Sequence, residues 1–82
     1  MIISAQVSLY PLRQERLSPA IQAVSDALLA AGLHPETGSM STLVTGEADR
    51  MFAALHQAFV RAATTGQVVM TVTLSNACPV GE

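Results

Sequence analysis

Two segments near the ends of the chain alternate apolar and polar residues with a period of two. In residues 2–10, IISAQVSLY, one side carries Ile3, Ala5, Val7 and Leu9, and the other Ser4, Gln6, Ser8 and Tyr10. In residues 67–75, QVVMTVTLS, Val68, Met70, Val72 and Leu74 oppose Val69, Thr71, Thr73 and Ser75. Such alternation reads as a strand with one face on a core. Pro11, which has no N–H for a ladder, is expected to end the first strand. Beside each strand the period changes to that of a helix. Ser18 and Pro19 read as an N-cap and first helical position, and Leu17, Ile21, Val24, Leu28 and Ala31 follow at spacings of three and four. Gly32 stands where a left-handed C′ residue would close that helix. From about Glu47 a second helix carries Met51 or Phe52, Leu55, Phe59, and Ala62 or Ala63 inward, and ends near Gly66.

Between the helices, residues 33–37, LHPET, read as a weak strand that Pro35 confines to an edge. Residues 40–46 read as another short strand after a turn at Gly38-Ser39, and the pattern leaves open whether Leu43 or Val44 faces the core. The order is β-α-β-β-α-β, two similar halves. The expected fold is an α+β ferredoxin-like βαββαβ sandwich, a four-stranded antiparallel sheet with two helices on one face. Right-handed crossovers put the first and third strands in the middle. Residues 1–75 are expected to form this single domain, and residues 76–82, NACPVGE, a flexible tail.

Half of the 82 residues are hydrophobic and 12% are charged, against about 25% charged in an ordinary soluble domain. A domain of this size buries only about 60–65% of the surface of its unfolded chain. Cover by a second copy would therefore help its stability, and a homo-oligomer, dimer or tetramer, is expected. The net charge of −2, with four arginines and no lysine, argues against a nucleic-acid partner, which would need a basic patch. Cys78 is alone, so the sequence holds no disulfide framework, CxxC pair or metal-ligating cluster, and a free thiol suits the cytoplasm. The start lacks the basic region of a signal peptide. No apolar run approaches the ~20 residues of a membrane span, so no membrane insertion is expected.

The sheet face away from the helices should expose Gln6, Ser8, Tyr10, Thr71 and Thr73, with one row of residues 40–46. Several uses of such a face fail on residues. Base stacking needs aromatics on the central strands, where only Tyr10 lies, at a strand end. A metallochaperone would carry a CxxC after the first strand, where this chain has YPLRQER. Arg13 and Arg16 lack the glycine-rich context of a phosphate cradle. His34, His56, Asp26 and Asp49 are expected to be solvated or capping residues, and none is set against a nucleophile. No enzyme activity and no cofactor are expected. A Ser/Thr row is ordinary on a strand surface, but the absence of any charge on it favours cover by another copy around a hydroxyl-lined gap. Hydroxyls donate and accept, so they can satisfy a heteroaromatic edge without a buried charge.

The stretch ISAQVSLYPL at residues 3–12, together with GSMSTLVTGE at 38–47, resembles the YkoF-like thiamine-binding family over nearly the whole chain. The resemblance implies a ferredoxin-like domain that associates with others and binds thiamine or its hydroxymethylpyrimidine half, in thiamine salvage or uptake, without catalysis. It implies a site on Gln6, Ser8, Tyr10, Ser39, Met40, Ser41 and Thr42, to which sheet geometry adds Thr71 and Thr73. No aspartate occurs in these stretches, and the nearby carboxylates are Glu36 and Glu47. The alternative expectation is a structural or regulatory oligomerisation module without a ligand.

Overall fold

A computed structural model describes residues 1–38 and 41–77. The strands are β1 (Ile2–Leu12), β2 (Glu36–Thr37), β3 (Thr42–Glu47) and β4 (Gln67–Ser75), and the helices are α1 (Ser18–Ala30) and α2 (Ala48–Ala63). One antiparallel sheet runs β2-β3-β1-β4, with both helices on one face. The βαββαβ order and the central position of β1 and β3 are those expected from the alternation and from right-handed crossovers.

The register fixes both faces of the sheet. Ala5 lies opposite Val44 and Leu74, and Val7 opposite Thr42 and Val72. These residues therefore share the helix side with Ile3 and Leu9. Val44 is 2% exposed and Leu43 is 39% exposed, so Val44 is the core residue of β3. The core continues into Ala20, Val24, Ala27 and Leu28 of α1 and Met51, Ala54, Leu55, Ala58 and Ala62 of α2. Alanines at the helix contact let the two backbones approach closely, and Met51 rather than Phe52 fills the space beneath.

Local expectations change where tertiary context takes over. Pro11 does not end β1, which continues to Leu12 opposite Gln67. Beyond Val7 only β4 lies beside β1, so this stretch meets the edge condition under which a proline is tolerated. The N-cap of α1 is Leu17, with no side-chain cap, and Ser18 is already helical. Gly32 takes φ +82°. Its N–H donates to Leu29 O at 2.9 Å and the Leu33 N–H donates to Leu28 O at 3.1 Å. That is the Schellman closure, with Leu28 and Leu33 buried beside it. The strand read at residues 33–37 shrinks to Glu36–Thr37, because Pro35 offers no N–H and Leu33 turns inward instead. Leu17, Ile21, Phe59 and Leu74, all read as inward-facing, are 49%, 45%, 42% and 40% exposed. Two helices cover a four-stranded sheet incompletely, and these residues stand at the margins of the cover.

The carboxylate of Glu47 joins three elements. One oxygen accepts from the α-amino group of Met1 at 2.8 Å, and the other accepts from Asp49 N at 3.0 Å, capping α2. The hydrogen bond to Glu47 and the charge of its carboxylate hold the amino group above its usual range, and the bonds from the amino group and from Asp49 N hold the Glu47 carboxyl below its own. No helix among the described residues is long and apolar enough to cross a membrane.

Candidate functional site

The residues expected to bind divide between the two faces of the sheet. Gln6 pairs with Leu43 and Thr73, Ser8 with Thr71, and Tyr10 with Val69. These form the open face, away from the helices. There Gln6 Nε2 donates to Ser41 Oγ at 3.2 Å, and the hydroxyls of Ser4 and Thr45 lie 3.3 Å apart. Much of the polar row on β1 and β3 is thus satisfied within the chain.

Thr42 is on the other side. Opposite Val7 and Thr37 in the sheet, it lines a cavity of about 110 Å³ between α1 and the sheet, with Val7, Leu9, Ile21, Val24, Thr37, Gly38 and Ser41. The walls are branched aliphatic side chains and the rim is hydroxyl and backbone. Gly38 N donates to Ser41 O at 2.8 Å, tying together two residues of the rim. Ser41 is the hinge of the arrangement: it borders the cavity and accepts from Gln6 on the open face. Ser39 and Met40, expected in the site, lie outside the described residues.

The cavity explains the exposure of Ile21. Helical spacing turns Ile21 inward, but it meets open space rather than packed atoms. Sequence reading missed Val7, Leu9, Ile21, Val24 and Thr37 as lining residues, since each reads as plain core or edge. The available signal was the proximity in sequence of Thr37 to Thr42, which pair across β2 and β3.

Chemically the site is neutral. None of its lining residues titrates. Glu36 lies opposite Leu43, on the open face, and Glu47 is at the far end of β3, engaged with Met1 and Asp49. His34 and His56 are exposed, and Asp26 accepts from Gln22 at 2.9 Å. Among the described residues no cluster of three or more His, Cys, Asp or Glu could hold a metal ion. An apolar slot with a rim of hydroxyls can enclose a small uncharged planar ring and hydrogen-bond its edge.

The model of the YKOF-related family matches residues 2–81. This chain belongs to that family. No curated protein matches it closely enough to count as a relative. Among solved structures, a Streptococcus pneumoniae protein superposes with a TM-score of 0.86 at 20% identity, over 99% of this chain and 92% of its own. A hypothetical protein from Methanocaldococcus jannascii gives 0.83 at 22% identity, over 94% and 81%. A Thermotoga maritima protein, provisionally ascribed to thiamine biosynthesis or salvage, gives 0.80 at 16% identity, over 92% and 83%. At such identities these structures establish the shared fold.

Proposed function

We propose that this protein of the YKOF-related family is a non-enzymatic binder of thiamine or of its hydroxymethylpyrimidine half, serving thiamine salvage or uptake in the cytoplasm. The observation that carries the reading is the hydroxyl-rimmed cavity between α1 and the sheet. Its volume of about 110 Å³ is somewhat below the roughly 150 Å³ of an apolar cavity that takes up benzene. A substituted six-membered ring exceeds that scale, so the aminopyrimidine would enter edge-first and in part, and a two-ring cation would not be taken up whole. The aminopyrimidine would enter between Ile21, Val24 and Leu9, and Thr42, Thr37 and Ser41 would meet its amino group and ring nitrogens. The thiazolium of thiamine would remain outside, where no carboxylate of the cavity meets it. The protein needs no cofactor or metal for this task, and it would work as a homo-oligomer, dimer or tetramer. Membership of the family and the described role of the Thermotoga maritima neighbour support the choice of ligand.

Titration calorimetry with hydroxymethylpyrimidine and with thiamine tests the reading. Binding of the pyrimidine at micromolar concentration, about −8 kcal/mol, is the expected result, and silence with both ligands sinks it. One observation favours a second reading, an association module without a ligand. Polar side chains of the open face bond one another, the Gln6 amide donating to the Ser41 hydroxyl and the Ser4 and Thr45 hydroxyls pairing, as a surface made only for contact would. A chain that associates but ignores both ligands would establish that reading instead.

A further inference from the structure

The helix layer carries a second hollow, a groove of about 320 Å³ between α1 and α2 that shares none of its described lining residues with the cavity beside the sheet. On α2 it is lined by Arg50, Ala53, Ala54, Gln57 and Arg61, positions i, i+3, i+4, i+7 and i+11, which a helix brings onto one face. On α1 it is lined by Ala27, Ala30 and Ala31. The floor is therefore methyl groups. Val60, three residues after Gln57 and 45% exposed, extends the apolar part of this surface. The cationic side chains are unevenly placed. Two of the chain's four arginines, in a sequence without lysine and with a net charge of −2, line this one groove. Among the described residues no carboxylate lines it with them, and the ion pair is that of Met1 with Glu47. Both guanidinia are thus left without a counter-charge. Arg50 lies beside Gly32 at the end of α1, and Arg61 stands in the last turn of α2, roughly 16 Å further along the helix at 1.5 Å per residue.

We infer that this groove docks an acidic amphipathic helix of a different protein, its small and apolar residues against the alanines and its carboxylates on Arg50 and Arg61. Charge complementarity sets the sign of the partner, and geometry sets its form. An extended segment finds no free edge here, because the backbone groups of both helices are already bonded within them. A helix arrives with its own backbone satisfied and lies along the groove between two others. Alanines on the floor let the axes approach to the short end of the usual 8–10 Å. Carboxylates eleven residues apart fall on one face of such a helix, about three turns along it, and match the spacing of the two arginines. Each guanidinium offers a carboxylate two parallel donors. This inference does not rest on the ligand proposed above, since the two sites lie on opposite sides of α1's contact with the sheet.

An NMR titration of the full chain with a synthetic peptide tests it. The peptide is a helix of about 18 residues, with alanine and leucine on one face, glutamine on the other, and two glutamates at i and i+11. Its twin carries glutamine in place of both glutamates. The glutamate peptide should shift the amide signals of Ala30, Ala31 and Ala53, and the twin should bind about tenfold more weakly. Added salt should weaken the first and spare the second. Arg50→Gln combined with Arg61→Gln changes two exposed residues, so the fold is retained, and it should abolish the difference between the peptides. Arg13→Gln combined with Arg16→Gln makes the same change in net charge outside the groove and should leave that difference in place. Absence of shifts at these alanines, equal binding of the two peptides, or equal loss in both double variants overturns the inference. Displacement of the peptide by equimolar suberate also overturns it, and would make the groove a site for a small dicarboxylate.

Discussion

Thr42→Val isolates the hydroxyl on which the proposed recognition depends. Thr42 sits in β3 opposite Val7 and Thr37, and its side lines the cavity. Among the described residues its hydroxyl has no hydrogen-bond partner, so replacing it by a methyl breaks nothing in the fold. Valine keeps the shape and the preference for a strand. Stability should therefore stay within about ±0.5 kcal/mol. The ligand, by contrast, loses one hydrogen bond in a site walled by Val7, Leu9, Ile21 and Val24, and its own polar atom is left unpaired. That costs about 1–3 kcal/mol, or roughly a 5–150-fold loss of affinity. Titration calorimetry with hydroxymethylpyrimidine reads the affinity, and thermal melting reads the fold. Thr64→Val is the control: its hydroxyl donates to Arg61 O at 2.6 Å at the end of α2, so binding should not change. Equal affinity in the wild type, Thr42→Val and Ser41→Ala would refute the assignment of the cavity rim.

Met51→Ala should destabilise by about 2–5 kcal/mol because Met51 is fully buried, whereas Phe52→Ala, at a 57% exposed position, should cost far less in a denaturant titration. Gly32→Ala places a side chain at φ +82°, which costs about 1–2 kcal/mol and should lower the melting temperature by roughly 4–16 °C. Glu47→Gln should matter most between pH 4.5 and 8.0, the ordinary values of the carboxyl and the amino group. The depressed carboxyl stabilises the fold above its unfolded value and loses that contribution as pH falls through its folded value. The raised amino group stabilises below its unfolded value and loses that contribution as pH rises through its folded value. Melting curves of both proteins across about pH 3–10 should converge at the acid end, where the carboxyl is protonated, and should narrow at the alkaline end to the contribution of the Glu47 cap on Asp49 N; a gap constant across the whole range would contradict the pairing.

Periodicity alone determined the element order, the two long strands and the inward rows Ile3, Ala5, Val7 and Val68, Met70, Val72. A residue's side of a strand or stripe of a helix follows from backbone geometry that every chain shares. The turn chemistry of Gly32 was legible for the same reason, since a left-handed closure admits few other residues. Tertiary structure decided what lay where two elements meet. Period two could not choose between Leu43 and Val44, because that depends on the register of β3 against β1. Helical spacing could not tell Met51 from Phe52, or foresee that Ile21 would face a void, because those depend on how far two helices reach across four strands. The candidate site has the same origin. Its residue types stood in the sequence, Ser41 and Thr42 side by side, yet only the register of β3 could show that Thr42 lines the cavity beside Val7 while Ser41 both borders it and accepts from Gln6 on the open face.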